Sequence, residues 1–360
     1  MTFACIAICE RVLLNVGATG PSRRQGNSKE GSLHMDFDTW VTRTLDIRYP
    51  ILVGGMMWLG RAELVAPVVR AGGSGFLSAL TFPESAKLRD EIVRCRDKAG
   101  SDRFGVNLYI SSHKEGGEEL LPLIDVVCDM GVPFVETSGG RPDMLVERLK
   151  QTNTKVLHKV PTVRFANSAV RAGVDAIILV GGECAGHPGA AMIGSMVQGA
   201  HGPRSLDVPV ILGGGIGHGS QLTAALAMGC EGVLMGTRMM VAAEAIPHDE
   251  IKKRVVESDG TDTVIVQSIF NHHHRVMANE ATDEVLELEK AGIDEFETYR
   301  PLVSGNAAWS AIQTGDHRRG MIDMGQSACF AGSIEPAKKI IASMIEEATA
   351  AQKSLGIKCK

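Results

Sequence analysis

Between residues 50 and 240 one pattern of apolar and polar positions recurs. A short apolar run ends in Gly or a small polar residue, a helical stretch follows, and a Gly leads into the next run. The runs are residues 51–53, 75–80, 104–108, 134–137, 155–160, 176–180, 210–212 and 232–235. There are eight, about 26 residues apart, the length of one strand–helix unit. They are apolar on both faces, as strands of a helix-covered parallel sheet must be. Ala71-Gly72, Met130-Gly131, Ala172-Gly173 and Met228-Gly229 each close a helix just before a run. Gly supplies the left-handed cap there without steric cost, and Asn153 is expected to do the same before Lys155. In the second unit Pro83 stands near the helix start, and Leu88, Ile92 and Cys95 follow at helical spacing.

Eight units in series with no reversal signal predict an α/β fold, a (β/α)8 TIM barrel. The alternative is an open doubly wound sheet, which usually has five to seven strands. After about residue 246 the pattern changes to a mostly helical one. Val285, Leu286 and Leu288 lie in an acidic helical stretch, and Ser333 and Pro336 open a helix with Ile340, Ile341, Met344 and Ile345 on one side.

The length of 360 residues fits one large domain with a small attachment. A net charge of −5 without a basic excess argues against nucleic-acid binding, and no apolar run approaches the ~18 residues of a membrane span. The eight cysteines are scattered with no CxxC pair, which predicts reduced thiols in a cytoplasmic protein. Residues 1–34, rich in Gly, Ser and Arg toward their end, read as a disordered extension; an organelle-targeting peptide is the alternative.

In such a barrel the chemistry lies at the C-terminal strand ends. These carry Gly54-Gly55-Met56-Met57-Trp58, Asn107, Thr137-Ser138-Gly139-Gly140, Lys159, Gly181 to His187, Gly213-Gly214-Gly215 and Gly236-Thr237. Glycines leave backbone N–H groups open and let a flat ligand come close. The pair of loops after the seventh and eighth strands, one leading into a helix near Gly219, is where barrels build a phosphate site; the plainer reading is tight turns alone. The pattern is neither a P-loop, since no Gly-Lys-Ser/Thr follows, nor a Rossmann fingerprint. His187 is the best acid–base candidate. Lys159, ending an apolar strand, must meet either a ligand or a buried carboxylate. Asn107 should be hydrogen-bonded, to a ligand ring edge or within the protein. Met56, Met57 and Trp58 read as an apolar wall. His272-His273-His274, taken as helical, would point in three directions and so suit no single metal. Cys184 lacks the visible partners of a nucleophile.

These residues resemble the nitronate monooxygenase (2-nitropropane dioxygenase) family. The resemblance rests on Val53 to Trp58, Phe104-Gly105-Val106-Asn107-Leu108, Glu183-Cys184-Ala185-Gly186-His187-Pro188-Gly189, Pro209 to Gly215, Leu234 to Arg238 and Asp323 to Ala328. It implies an FMN-dependent barrel of residues 35–246 completed by 316–360, with a small domain, 247–315, over the mouth. It implies that Gly55, Met56 and Met57 lie against non-covalent FMN, with Asn107 and Lys159 near its ring edge. Ala185 and Gly186 would also touch the cofactor, and Gly214, Gly215, Gly236 and Thr237 would hold its phosphate. His187 matches the family's active-site histidine, and the Asp323 segment would return to the flavin site. The chain departs from many members in lacking a glutamine after the first strand. Three segments, around Lys159, His187 and Ser304, look closest to the family's NADH:quinone reductase branch.

The expected function is FMN-dependent oxidation of an alkyl nitronate by O2 to a carbonyl compound and nitrite. The alternatives are NAD(P)H:quinone reduction, flavin-dependent enoyl-ACP reduction, and a barrel that binds FMN or a sugar phosphate without turnover. The expected partners are small molecules, in a monomer or homodimer.

Overall fold

The computed structural model describes residues 36–111 and 118–358; the extension expected over residues 1–34 lies outside them. Eight parallel strands close into a barrel in chain order. They are β1 (Ile51–Val53), β2 (Ser74–Ser78), β3 (Gly105–Ile110), β4 (Phe134–Gly139), β5 (Lys155–Val160), β6 (Ala176–Val180), β7 (Val210–Gly213) and β8 (Gly232–Met235). β1 pairs with both β2 and β8, which closes the ring and rules out the open sheet.

The period of two along each strand sorts the apolar residues. Val53, Leu77, Val106, Val135, Ile177 and Leu212 join the core between the barrel and its helices. Leu52, Phe76, Phe134, Leu157, Ile178, Ile211 and Leu234 form a separate cluster that fills the barrel. There Phe76 and Phe134 meet edge to face, ring centroids 5.7 Å apart. Gly105 makes room for them, since a Cβ there would lie 2.6 Å from the Phe134 ring and 2.7 Å from that of Phe76.

The expected caps at Gly72, Gly131, Gly173 and Gly229 all have positive φ. Asn153 does not, which corrects that expectation. The turn closes through side chains instead: Thr152 Oγ1 donates to Leu149 O at 2.7 Å and Thr154 Oγ1 to Val132 O at 2.9 Å, so no left-handed residue is needed.

After the barrel strands come β9 (Thr263–Val266) and β10 (His274–Met277), an antiparallel pair, and helices Glu280–Lys290, Phe296–Val303 and Gly305–Thr314. The hairpin is a feature the sequence reading lacked, because four-residue strands are too short for alternation to register. Helix Ala337–Lys358 packs on helices Gly219–Ala227 and Ala62–Arg70. The contact is so close that a Cβ on Gly219 would lie 2.0 Å from Met344 O. A further apolar cluster joins Leu59 and Met240, beyond β1 and β8, to Met277, Ala311, Ile312 and Met324. Trp58 stacks on Trp309 at its edge, centroids 4.9 Å apart. No helix among the described residues is long and apolar enough to cross a membrane.

Candidate active site

Toward the C-terminal ends of the strands the inner face of the barrel turns polar. Two residues beyond Gly105, Phe134 and Leu157, on the same faces, stand Asn107, Glu136 and Lys159. The register puts Asn107 beside Glu136, and Lys159 beside Ser138 one step further up. The Glu136 side chain is completely buried. Its Oε1 accepts from Asn107 Nδ2 at 2.9 Å and from Lys159 Nζ at 2.6 Å, and its Oε2 from the Gly55 N–H at 3.3 Å. Of the two readings of Lys159, the buried ion pair is therefore present. The lysine side chain nonetheless stays 22 % exposed, so it is the open end of the pair. Gly55 is packed against Asn107: a Cβ there would lie 2.2 Å from Asn107 Cβ.

The glycine loops lie around this polar layer. Gly214 and Gly215 have φ of 88° and 72°, and a Cβ on Gly214 would fall 2.5 Å from Gly181 N, so two loop backbones are in contact there. The backbone N–H groups of Gly215, Ile216, Gly236 and Thr237 make no hydrogen bond among the described residues. A Cβ on Gly236 would meet only Met56 Sδ, at 3.8 Å, so the space above it is open. Thr237 Oγ1 accepts from Gly325 N at 2.9 Å, and Gln326 N donates to Glu183 O at 3.0 Å. These two bonds bring the Asp323 segment back to the barrel mouth.

His187 stands at the rim with two unforeseen neighbours. Its ring lies parallel to that of His274, centroids 4.6 Å apart, and 4.3 Å from that of His272. Both come from the His272-His273-His274 run, which is a turn leading into β10 and not helical. In an extended chain positions two apart share a face, so His272 and His274 converge on His187. Gly186 and Arg275 exchange backbone hydrogen bonds at 3.0 and 2.7 Å, which fixes the hairpin against the loop. His274 Nε2 lies 2.6 Å from Asp323 Oδ1. Crowding by protein pushes the His187 imidazole well below its ordinary range, and the adjacent His274 and His272 act the same way. Solvent still reaches the ring through the open mouth, which weakens the desolvation but keeps the direction: His187 is neutral at pH 7. The Asp323 side chain is half exposed; crowding by protein would raise its carboxyl, but His274, His187 and Lys159 outweigh this and hold the group below its usual range. Burial pushes the Cys184 thiol up to about 12, the opposite direction to that of an activated thiolate.

The residues singled out from sequence thus fall into three touching groups. Gly55, Asn107 and Lys159 meet at Glu136. Ala185, Gly186 and His187 meet the returning segment, with a Gly186 Cβ position 3.9 Å from Asp323 Oδ2 and a Gly325 Cβ position 2.7 Å from Ala185 N. In the third, Gly236 lies beside Met56 and Thr237 holds Gly325, while Gly214 and Gly215 pack on Gly181 and Glu183 in the loop after β6. Met57 stands apart, 42 % exposed, with its sulfur 3.8 Å from Thr81 Oγ1. Sequence reasoning missed Glu136, His272 and His274. A lone acid two residues into the apolar run at 134–137 was the available signal for Glu136; the histidines needed the hairpin.

Residues 38–347 match the family described as nitronate monooxygenase. A probable nitronate monooxygenase of Staphylococcus saprophyticus is 27 % identical over 356 residues, covering 85 % of this chain and 99 % of that protein. Among solved structures, FabK from Thermotoga maritima is 32 % identical with a TM-score of 0.80, covering 88 % of this chain and 98 % of its own. The fold is also that of a nitroalkane oxidase from Streptomyces ansochromogenes, 23 % identical, TM-score 0.73, covering 88 % of this chain and 99 % of that one. The chain is an oxidoreductase and belongs to the nitronate monooxygenase family of (β/α)8-barrel enzymes.

Proposed function

We propose that this enzyme is an FMN-dependent nitronate monooxygenase that oxidises alkyl nitronates with O2 to carbonyl compounds and nitrite. Family membership implies a flavin, and the residues present fit one. The unengaged N–H groups of Gly215, Ile216, Gly236 and Thr237, with open space above Gly236, suit a phosphate. The polar layer of Asn107 and Lys159 suits a ring edge rich in hydrogen-bonding atoms. Bound there, the flavin supplies the two-electron acceptor and the reaction with O2.

The protein's part is positioning and proton handling. Gly55 keeps the first loop flush against Asn107 so that a flat ring can lie on it. Trp58, in the loop after β1, stacks on Trp309 and gives that side of the mouth an apolar edge. His187 carries the reading. A neutral imidazole at the rim can accept the α-proton of a neutral nitroalkane, or hydrogen-bond the nitro group of a nitronate already formed. Its stacking on His274, with the tilted His272 ring beside it, fixes the ring's orientation.

A second reading is reduction of a quinone, or of an enoyl thioester, by NAD(P)H on the same barrel. The higher identity to FabK, 32 % against 23 % for the nitroalkane oxidase, keeps it in view. Anaerobic mixing of the FMN-loaded protein with propyl-2-nitronate, NADH and NADPH separately, followed near 450 nm, decides between them. Rapid bleaching by nitronate alone supports the monooxygenase. Bleaching by a nicotinamide and none by nitronate overturns it in favour of a reductase.

A further inference from the structure

We propose that Glu136 is a positioning residue of the flavin site, whose carboxylate sets both the placement of Asn107 and Lys159 and the charge that the lysine presents to the ring. The inference rests on the flavin reading above.

Three observations carry it. First, Asn107, Glu136 and Lys159 occupy the inner faces of three neighbouring strands, directly above the aromatic and leucine fill of the barrel. Glu136 is the bottom of this layer, with no exposed side-chain surface, and Lys159 is its open end. Secondly, one carboxylate gathers three elements. Its Oε1 takes Asn107 Nδ2 and Lys159 Nζ, at 2.9 and 2.6 Å, while its Oε2 takes the Gly55 N–H at 3.3 Å. Asn107 is thereby turned with its amide nitrogen toward Glu136, which leaves its oxygen as the group available to a ligand. Thirdly, a buried carboxylate is costly to keep, and a well-packed apolar residue would usually hold the barrel at least as well. Here the charge does something an apolar residue could not. It halts the flexible lysine at one point and cancels most of its field at that end of the site.

Removing the negative charge while keeping the shape leaves Lys159 uncompensated beside the ring. That favours the reduced, more negatively charged state of the flavin. Glu136→Gln is therefore expected to raise the reduction potential of bound FMN by at least about 30 mV, a tenfold shift in the two-electron equilibrium. Lys159→Met is expected to lower it. The double variant E136Q/K159M, which removes both charges, is expected to return toward the wild-type potential but to bind FMN at least tenfold more weakly, since neither Asn107 nor a lysine is then held at the ring.

The experiment measures FMN dissociation constants by fluorescence and potentials by dye equilibration for the wild type and the three variants, each checked for cooperative unfolding. A folded E136Q protein with the wild-type dissociation constant and potential overturns the proposal. So does a double variant that binds FMN as the wild type does, and this second arm decides the matter if E136Q alone fails to fold. A wild-type protein that takes up no FMN overturns the flavin reading itself and the proposal with it, and is distinguished from the other outcomes by the first measurement.

Discussion

Replacing Gly236 with Ala tests the phosphate cradle with little disturbance to the rest of the protein. The added methyl meets only Met56 Sδ, at 3.8 Å, which is ordinary van der Waals contact. The fold should therefore be unharmed, and the unfolding free energy should change by less than about 0.5 kcal/mol, as for other substitutions that break no packing feature. Ligand binding is a different matter. The N–H groups of Gly236 and Thr237 have no partner among the described residues. On the cradle reading, the methyl takes up part of the open space beside them that the phosphate would fill. Charged hydrogen bonds of this kind contribute about 1.5–3 kcal/mol each, so weakening one or two costs about 2–4 kcal/mol. That is about 30- to 700-fold in affinity. The assay is fluorescence titration of the flavin-free protein with FMN, and in parallel with riboflavin, which lacks the phosphate. The expected result is a large loss for FMN and almost none for riboflavin. Equal FMN affinity in wild type and variant, with unchanged stability, would refute the cradle; equal losses for both ligands would place the phosphate elsewhere.

Four further outcomes are expected. Gly55→Ala drives a Cβ to within 2.2 Å of Asn107 Cβ, so it should cost about 1–3 kcal/mol in urea unfolding and weaken FMN binding; a variant unchanged in both would show the loop to be free to move. His187→Asn should lower kcat/KM for a neutral nitroalkane by about 10²–10⁴-fold and for a preformed nitronate far less, and equal losses would remove the base role. Because its imidazole is held below the ordinary range, the wild-type rate on a nitroalkane should show no falling limb near pH 6.5. His158 is 3 % exposed, pairs with Thr137 Oγ1 at 2.8 Å through Nδ1, and is pushed down to about 4 by burial. The unfolded chain therefore binds a proton that the folded one refuses, and stability is lost as pH falls below the unfolded value. From pH 7 to pH 4.5 this one group should remove roughly 2 kcal/mol, and His158→Gln should flatten that part of the curve measured by urea unfolding.

The barrel was legible because its determinants are local and repeat. Each strand is a short apolar run, most helices between them end at a left-handed glycine cap, and eight such units in series form one closed barrel. The loops at the strand ends were legible for the same reason: Gly55, Gly214, Gly215, Gly236 and Thr237 follow strands and Lys159 lies near the end of one, so the fold rule alone sends them to one face, while Asn107 lies inside β3. His187 followed from its place in such a loop. What the sequence left undecided is what those side chains meet. Whether Lys159 found a ligand or a carboxylate depended on Glu136, one strand away and 23 positions earlier in the chain. Its partner choice is fixed by sheet register, which emerges only when the barrel closes. Likewise His272 and His274, taken as helical, pointed in different directions and suited no common site. A hairpin of two four-residue strands turned them to one side, and the backbone pairing of Gly186 with Arg275, across 89 positions, set them on His187. Residue types and their period determine which face a side chain takes; only the closed chain decides its neighbours, because hydrogen-bond partners and ring contacts act over a few ångströms between segments that no local pattern relates.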